Sequence, residues 1–535
     1  MLLRIDRPML LRNRKLGLAG SVLVVLGGLL AGVPPARDPL LRLPILESLR
    51  ALTTPWVMVV FAGLSLLLLA WWRIGEQIRR GSGPDVKQLL STMAYWSAPF
   101  LVTMPIFSRD VYSYLAQGTM TVLGIDAYQY GPAILGGPLS IDIPPIWQTT
   151  PAPYGPTFLS LAGDVTSITG ESTWFGILGM RMLALAGLAL IAMALPRIAR
   201  ASGVDPSAAL WLGLLNPLVL IHLVGDAHND SLMLGLMLAG LALALEKRPA
   251  AGAVLIALGA LVKAPAGLAL LFIIPIWAGQ MSMSAGRSSR WLRAAVGSFG
   301  IGGLTVVLTT AVAGTGYGWI GALDTPTLAH TWTSVTTDIG YWGGLAASGL
   351  GLATTDQVLA IVRFLGLAAA GLSCLALLRR YHRSGPVVGL GLGLAVVLAL
   401  GPVVHPWYLL WAIIPLAASA TSARIRRWVV VASVAMIVTV LPGGVQPTLA
   451  AFIGLALGMG AVFGTAWALR GQDRDAIVGS AFALLRKVLQ REPVAVDAES
   501  ADDPRGHRRD DGMVAERFAR VDVRDVHLDE RATQR

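Results

Sequence analysis

The sequence predicts an all-α fold, a polytopic bundle of about fourteen transmembrane helices with long extracytoplasmic loops, from composition and run length. Hydrophobic residues make up 55% of the 535 residues and charged residues only 14%, and the mean hydropathy is +0.65. Soluble proteins carry roughly 25% charged residues. Many apolar runs reach roughly 17–22 residues, the length that a helix needs to cross a bilayer. The runs are continuous rather than alternating, which disfavours a β-barrel.

The apolar runs predict spans at 16–33, 53–72, 89–107, 173–195, 206–223, 230–245, 250–262, 265–279, 294–313, 357–378, 386–402, 406–420, 428–443 and 448–469. The first follows a basic N-terminus and is too long for the apolar core of a signal peptide, so we interpret it as a retained span. The pair at 250–262 and 265–279 is short for a bilayer of about 30 Å, which leaves two tilted helices or a re-entrant hairpin open.

The distribution of charge predicts the orientation of these spans. With the spans above, 22 of the 29 Lys and Arg residues before residue 470 fall on one side. That side is expected to be the cytoplasm, because positive residues collect there. Of the 17 acids in the same stretch, 12 fall on the opposite side. The net charge of +11 therefore reflects topology, and we expect no nucleic-acid partner.

Three parts of the chain are predicted. Residues 1–88 form a basic N-terminal segment with the first two transmembrane helices, and residues 89–470 form the transmembrane core, which holds the candidate functional residues described below. Residues 471–535 are rich in Arg, Asp and Glu and are expected to be a mostly disordered cytoplasmic tail. Both termini are then cytoplasmic. The single cysteine, Cys374, excludes an intramolecular disulfide.

Two long segments, 108–172 and 314–356, are expected outside the cell, and both are rich in Tyr and Trp. These aromatics can form an interfacial belt or stack on the apolar faces of sugar rings. Asp110 lies near the start of the first segment, shortly after the third predicted span ends at residue 107. An ionisable residue at the edge of the membrane is a candidate functional group. The alternative is a solvated acid that caps the next helix or pairs with Arg109.

Three further polar clusters lie at the same predicted outer ends of spans: the turn 225–230, the tip around Lys263, and the turn that begins at His405. We hypothesise that they converge with Asp110 on one cavity. Each cluster has a structural alternative. The turn 225–230 can be a solvated turn that caps the next helix, and Lys263 can extend its apolar stem to bring its charge to the membrane interface. His405 can be a hydrogen-bonded structural residue near a proline break. The Asp226-x-His228-x-Asp230 pattern also leaves ligation of a divalent cation open.

These motifs resemble the GT-C class of integral-membrane glycosyltransferases, and most closely the actinobacterial polyprenol-phosphomannose-dependent α-(1→6)-mannopyranosyltransferases. The resemblance covers roughly residues 90–470. It rests on the motifs Phe107-Ser108-Arg109-Asp110-Val111-Tyr112-Ser113-Tyr114, Pro153-Tyr154-Gly155-Pro156, Asn216-Pro217, Gly225-Asp226-Ala227-His228-Asn229-Asp230, Lys263-Ala264-Pro265 and Pro406-Trp407-Tyr408-Leu409-Leu410-Trp411. The chain departs from the wider class in having a lone Asp110 rather than a close pair of acids.

The resemblance implies an inverting glycosyltransferase of the cell membrane. It implies transfer of a hexose, expected to be mannose, from a polyprenyl-phosphate donor to a mannan or lipoglycan acceptor through α-(1→6) linkages. The active site is expected on the extracytoplasmic face, in contact with membrane lipids. No tightly bound cofactor is expected, and a divalent metal, Mg²⁺ or Mn²⁺, is left open.

Roles for individual residues follow from the resemblance and from the chemistry of the step. Asp110 is the expected base for the acceptor hydroxyl, and Lys263, with Arg109 or His405, is expected to bind the donor phosphate. The remaining candidates are expected to contact sugars, the lipid groove or the groups around them: His228, Asn229, Asp230, Asp226, Tyr154, Trp407 and Tyr408.

Alternative functions remain open from the sequence. The main one is a transporter or flippase of a lipid-linked glycan precursor, for which Arg181 and Arg363 inside predicted spans are the best support. A transferase of the same class with another sugar or acceptor, such as arabinose or a protein, is a second. A non-catalytic membrane scaffold is a third, but it leaves the polar outer turns unexplained.

Overall fold

A computed structural model describes residues 7–468 apart from 39–42, 285, 329, 330, 332 and 445–447. Within these residues the chain forms helices joined by turns, and no β-strand occurs. The predicted cytoplasmic tail, residues 471–535, lies outside the described residues.

The helices of the first half, in chain order, are α1 (Arg7–Ala31), α2 (Pro44–Ala51), α3 (Thr53–Arg79), α4 (Val86–Leu101), α5 (Asp110–Val122), α6 (Gly137–Asp142), α7 (Pro145–Gln148), α8 (Pro156–Thr169), α9 (Thr173–Ala201), α10 (Pro206–Gly213) and α11 (Asp230–Leu245). The second half holds α12 (Pro249–Ala260), α13 (Leu268–Gln280), α14 (Arg287–Ala313), α15 (Gly318–Gly321), α16 (Val335–Gly349), α17 (Thr355–Arg379), α18 (Tyr381–Ser384), α19 (Pro386–Leu400), α20 (Leu409–Ser419), α21 (Ala423–Thr439) and α22 (Leu449–Ala468).

Five of the described helices are long and apolar enough to cross a membrane: α1, α3, α9, α14 and α17. The π-helical turn Val219–Gly225 and α11 would add a sixth span if they count as one bent pair. Shorter apolar helices, including α12, α19 and α22, accompany them. The helical, apolar character that the sequence predicts is therefore confirmed, whereas the number of fourteen crossings stays a prediction.

Proline residues explain why two predicted spans are shorter in the structure. Helix α4 ends at Leu101 rather than at residue 107, because Pro105 lacks a backbone donor and disfavours helical geometry at Met104. The predicted span 206–223 breaks after α10, close to Pro217, and resumes as the π-helical turn. The π-helical turn itself ends at Gly225, before α11. The break after α4 and this break after Gly225, called the two helix breaks below, leave backbone carbonyls that need partners.

Glycine residues allow α9 and α11 to approach closely. A Cβ atom on Gly187 would lie 2.3 Å from the carbonyl carbon of Ser231, and one on Gly235 would lie 2.5 Å from the carbonyl oxygen of Gly187. Such approaches are typical of small residues between membrane helices. This packing brings the middle of α9, which carries Arg181, next to the chain that leads into α11.

The segment 108–172 is more ordered than a long loop. It contains α5 and α8, which pack against each other, and most of the α5 side chains are buried. A Cβ atom on Gly118 would lie 2.4 Å from the carbonyl oxygen of Ala162, so only glycine permits this approach of the two helices. Asp110 is the first residue of α5, so this packing places it at the edge of the helical core.

Candidate active site

Arg181 joins the two helix breaks. Its side chain is fully buried, and its guanidinium donates to the carbonyl oxygens of Leu101 (2.8 Å) and Thr103 (2.8 Å) after α4. It also donates to those of Val224 (3.1 Å) and Gly225 (2.8 Å) at the end of the π-helical turn. Four carbonyls exposed by the two breaks are thus satisfied by a single side chain.

The carboxylate of Asp226 also contacts the chain between α4 and α5. Its Oδ1 atom accepts from the backbone N–H groups of Ile106 (2.9 Å) and Phe107 (3.0 Å), and its Oδ2 atom lies 3.3 Å from Nδ1 of His222. Ala227 follows with φ of 54°, a left-handed conformation that turns the chain towards α11. Asp226 and Arg181 therefore hold the chain that leads to Asp110.

Asp110 lies in a partly closed cavity that is also lined by Tyr154, His405 and Tyr408, with Trp147 and Thr325 nearby. Its side chain is 20% exposed, and its Oδ2 atom is 3.4 Å from Nδ1 of His228. Burial raises the pKa of Asp110 to about 6, while the positive charge of Lys263 opposes this shift. A carboxylate with such a pKa is a better base than a solvated one and is still ionised at neutral pH.

His228 has no solvent exposure, and its Nδ1 atom is also 3.3 Å from the hydroxyl of Tyr114. The ring stacks on Trp407 with centroids 4.0 Å apart, and His405 stacks on Trp407 with centroids 4.5 Å apart. A continuous layer of three rings, His228–Trp407–His405, therefore lies beside Asp110. This layer fixes the plane of the His228 imidazole.

Lys263 is anchored by an acid and two aromatic rings. Its Nζ atom lies 3.0 and 2.9 Å from the two carboxylate oxygens of Asp230, and 4.4 Å from the ring centroid of Tyr408. Trp411 Nε1 donates to Oδ1 of Asp230 at 2.6 Å, and its ring stacks on that of Tyr408. Burial is the largest effect and lowers the pKa of Lys263, but the charges of Asp230, Tyr408 and Asp110 and the hydrogen bonds to Asp230 together outweigh it and raise the pKa above its usual value.

His405 lines the Asp110 cavity, but its side chain carries no positive charge. Burial and the positive charge of Lys263 lower the pKa of His405 to about 3, so its imidazole is neutral at pH 7. It can therefore donate one N–H bond to a phosphate, but no charge. Arg109, in contrast, is exposed and lines a different cavity with Arg50 and Asp142.

The loop around Tyr154 is tied to the end of α12. A Cβ atom on Gly155 would lie 2.4 Å from the carbonyl oxygen of Leu261, so the turn needs a glycine at this close approach. The ring of Tyr154 makes edge contacts with Tyr114 and Phe158 at 5.4 and 5.1 Å. This contact brings the Pro153–Pro156 motif and the Lys263 tip to the same side of the cavity.

Most of the residues that the sequence indicated are therefore adjacent. Asp110, Tyr154, His405 and Tyr408 line one cavity. Asp226, His228, Asn229, Asp230, Lys263 and Trp407 lie in the layer behind or beside it, linked by the contacts above, with Asn229 Oδ1 3.5 Å from the Tyr114 hydroxyl. Arg109 is the candidate that lines a different cavity.

Three contributors are not predicted from the sequence: His222, Tyr114 and Trp411. His222 is a buried ionisable residue four positions before Asp226. Its position inside an apolar run of the sequence is sufficient to identify it as a candidate functional residue. Tyr114 and Trp411 belong to the quoted motifs, but their polar atoms find partners only across the fold. Only the tertiary structure pairs Trp411 with Asp230.

One group of side chains has the geometry of a metal site. Each of His222, Asp226 and His228 offers a ligand atom within 4.8 Å of the other two, and all three are buried. The Nε2 atoms of both histidines have no hydrogen-bond partner among the described residues. Asp230, which the sequence pattern Asp-x-His-x-Asp includes, is instead engaged by Lys263 and Trp411.

Comparison with protein families gives two matches. Residues 14–279 match the family model described as "Alpha-(1->6)-mannopyranosyltransferase, N-terminal domain", and residues 336–470 match the "MptB C-terminal domain". The first range contains Asp110, His228 and Lys263, and the second contains His405 and Trp407.

Individual relatives agree with these matches. The chain is 38% identical over 422 residues to alpha-(1->6)-mannopyranosyltransferase A of Mycobacterium tuberculosis, covering 77% of this chain and 80% of that protein. It is 33% identical over 495 residues to alpha-(1->6)-mannopyranosyltransferase B of Corynebacterium glutamicum, covering 85% and 81% of the two chains. No solved structure matches the chain.

Proposed function

The chain belongs to the α-(1→6)-mannopyranosyltransferase family, a family of glycosyltransferases, and from this premise we propose its substrates and mechanism. The donor is a mannose β-linked to a polyprenyl phosphate, and the acceptor is a mannan or lipoglycan at the extracytoplasmic face. One displacement inverts the anomeric carbon and leaves an α-(1→6) linkage. The observation that carries the proposal is Asp110, partly exposed in a cavity between aromatic walls, with His228 at 3.4 Å.

Asp110 acts as the base. The acceptor 6-hydroxyl donates its proton to the carboxylate as its oxygen attacks the anomeric carbon, and the polyprenyl phosphate leaves with the bonding pair. The transition state is oxocarbenium-like, so the proton transfers late and a modest base suffices. The Nδ1 atom of His228 lies 3.4 Å from Oδ2 of Asp110, so the imidazole packs beside the carboxylate and limits its movement. The aromatic layer on Trp407 keeps that imidazole from rotating.

Lys263 provides charge stabilisation at the departing phosphate. Its ammonium group has three N–H donors, and the two contacts to Asp230 leave one for a phosphate oxygen. The effect of a positive charge is larger in a site shielded from water. His405, which lines the cavity, adds a neutral N–H donor.

The aromatic walls orient the sugars. Tyr154 and Tyr408 line the cavity, and Trp407 lies directly behind His405. Flat rings complement the apolar face of a pyranose, and Asn229 offers an amide nitrogen that has no partner among the described residues. Such positioning converts the encounter of two substrates into a reaction within one complex, which contributes several kcal/mol.

His222, Asp226 and His228 would hold a divalent cation if one binds. Two imidazoles and a carboxylate suit Mn²⁺ or Zn²⁺, whereas Mg²⁺ prefers oxygen ligands. Such an ion would polarise His228 and supply positive charge near Asp110. The Asp226 carboxylate already accepts bonds from two backbone N–H groups and faces His222, so it needs no ion to be satisfied. We therefore keep the expectation that no metal is tightly bound.

The lipid-phosphate donor accounts for the proposed location of the site. A polyprenyl chain anchors the leaving phosphate in the membrane, whereas a sugar nucleotide would be cytoplasmic. With the predicted spans, the acids of the site, Asp110, Asp226 and Asp230, fall on the side that has few positive residues, which supports the extracytoplasmic face and cytoplasmic termini. Among the described residues no specific observation favours transport, because Arg181 is explained by its four backbone partners and Arg363 donates to Oγ1 of Thr337 at 3.0 Å.

The proposal is tested with purified full-length protein in nanodiscs. Labelled mannosyl-phosphoryl-polyprenol and a synthetic α-(1→6)-dimannoside are supplied, and the product linkage is determined by methylation analysis. We expect a trimannoside with a new α-(1→6) bond and release of one polyprenyl phosphate per transfer. GDP-mannose in place of the lipid donor is the matched control and should give no product. Transfer from GDP-mannose, or movement of intact donor across the bilayer without cleavage, would contradict the proposal.

A further inference from the structure

Helix α5 presents a row of polar side chains to the Asp110 cavity. Asp110, Ser113 and Gln117 lie on one face of this helix, because they are spaced three and then four residues apart. All three line the cavity. With a rise of about 1.5 Å per residue, Ser113 lies about 4.5 Å and Gln117 about 10.5 Å along the helix axis from Asp110. The proposed mechanism uses Asp110 but gives no role to Ser113 or Gln117.

Ser113 and Gln117 are buried polar residues whose side-chain oxygens are unpaired. Only 5% of Ser113 and 3% of Gln117 is exposed. Neither Ser113 Oγ nor Gln117 Oε1 has a hydrogen-bond partner within the described part of the chain. Burial of an unpaired polar atom is unfavourable, and native proteins contain few such atoms. Two of them on the helix face that lines a cavity indicate contact with a ligand.

Two other hydroxyl groups on α5 show how a structural role differs. Thr119 Oγ1 donates to the carbonyl oxygen of Leu115 at 3.0 Å, and Thr121 Oγ1 donates to that of Gln117 at 2.9 Å. Both bonds run to the carbonyl four residues earlier, the partner that Ser and Thr commonly find within a helix. Ser113 Oγ forms no such bond to a described residue. The geometry of the helix therefore does not account for Ser113.

The chemistry of the two side chains identifies the kind of ligand group. Gln117 Oε1 can only accept a hydrogen bond, whereas the Ser113 hydroxyl can donate and accept. The matching ligand group is one that donates, such as a sugar hydroxyl, because an ionised phosphodiester has no proton to donate. The cavity has a volume of about 50 Å³, against about 30 Å³ for one water molecule in the liquid, so it admits one edge of a hexose.

We propose that Ser113 and Gln117 bind ring hydroxyl groups of the acceptor sugar, an inference that rests on the proposed function. Asp110 receives the proton of the acceptor 6-hydroxyl, and Ser113, about one helical turn further along the same face, contacts the same sugar. Gln117 Oε1 accepts from a second hydroxyl. An acceptor that lacks one of these hydroxyls leaves a buried polar atom unpaired in the complex, so the two residues determine specificity for the acceptor.

The test combines acceptor analogues with variants of α5. The acceptors are the α-(1→6)-dimannoside and its 2-deoxy, 3-deoxy and 4-deoxy analogues, each modified on the mannose that carries the reacting 6-hydroxyl. With the wild type in nanodiscs, we expect at least one analogue to raise KM about tenfold or more. In Ser113→Ala or Gln117→Met, KM for the intact dimannoside should rise by a similar factor. The analogue without the matching hydroxyl should then show no further increase in KM.

Thermal unfolding without substrate separates contact with the acceptor from a structural role. Ser113 Oγ and Gln117 Oε1 have no described partner to lose, so Ser113→Ala and Gln117→Met should keep the melting temperature of the wild type. Thr119→Val is the matched control, because nine residues at 3.6 per turn place Thr119 on the opposite face of α5 from Asp110. This control should keep KM for the dimannoside and for every deoxy analogue.

Several results would overturn the assignment. One is an unchanged KM for the dimannoside in both variants, and another is a full deoxy effect that each variant retains for every analogue. A clear loss of melting temperature in both variants would instead assign Ser113 and Gln117 a structural role. In all three cases the wild type still transfers mannose, so the proposed function stands. Absence of any transfer by the wild type from the lipid donor would refute the proposed function, and the assignment with it.

Discussion

Oδ2 of Asp110 lies 3.4 Å from Nδ1 of His228, although the two residues are 118 positions apart in the chain. Each of them follows a different helix break. The contact depends on the region in which Arg181 and Asp226 form hydrogen bonds to the backbone at the two breaks. A carboxylate that lies beside an imidazole and is partly exposed in an aromatic cavity is suited to accept a proton from a sugar hydroxyl. Substitution, pH and metal removal can each test one component of this arrangement.

Asp110→Asn should preserve expression and membrane insertion and reduce transfer by about 10²-fold or more, because the amide cannot accept the proton. The measurement is the initial rate with labelled mannosyl-phosphoryl-polyprenol in nanodiscs. Asp164→Asn, which changes an exposed acid on α8, is the control and should leave the rate unchanged. Full activity of Asp110→Asn would remove Asp110 from the role of base.

The rate should depend on pH through the ionisation of Asp110. Its pKa is raised to about 6, chiefly by burial, and only the deprotonated form can act as a base. Transfer should therefore be constant above about pH 7 and fall as pH decreases through 6, approaching tenfold per unit. The residual rate of Asp110→Asn should lack this acidic limb. An identical limb in that variant would assign the titration to another group.

Lys263→Ala should impair use of the donor more than use of the acceptor, but it also leaves Asp230 as a buried, unpaired charge. Breaking such a pair costs about 3–5 kcal/mol. The double variant Asp230→Asn/Lys263→Met removes both charges and should recover most of the thermal stability.

Donor use separates the two effects of Lys263. If Lys263 contacts the phosphate, the stabilised double variant should still show a raised KM for the lipid donor and a nearly normal KM for the acceptor. Recovery of both stability and donor affinity would show that the lysine serves only to neutralise Asp230.

Arg181→Met should lower the free energy of unfolding by several kcal/mol, because four buried carbonyls lose their donor at once. Arg181→Lys should recover little, since an ammonium cannot reach both helix breaks with the planar fork of a guanidinium. Thermal unfolding in detergent gives the comparison. Similar melting temperatures for Arg181→Lys and the wild type would show that charge alone is required.

Removal of divalent cations should leave transfer intact. The Asp226 carboxylate already accepts from the N–H groups of Ile106 and Phe107 and lies beside His222, so it has partners without an ion. Dialysis against EDTA followed by the transfer assay and elemental analysis checks this. Loss of activity that Mn²⁺ restores, together with one bound metal per chain, would instead assign His222, Asp226 and His228 as ligands.

The class of the fold and the identity of most candidate residues could be predicted from the sequence. Continuous apolar runs predict helices because a bilayer requires every backbone group to be satisfied within the segment. Polar residues are conspicuous against that background, so Asp110, His228, Lys263 and His405 stand out in the amino-acid sequence itself. With the predicted spans, the charge distribution predicts that they lie on one side of the membrane.

Only the tertiary structure decided which of these residues are in contact and what state they are in. The pairing of Lys263 with Asp230, the burial that raises the pKa of Asp110, and the separation of Arg109 into its own cavity all depend on contacts between distant segments. Local pattern carries no information on such distances, because ion pairing and desolvation depend on what packs around a group. The sequence by itself thus determined the helices and the polar residues at their ends, whereas packing around Arg181 and Asp226 determined which of those residues meet.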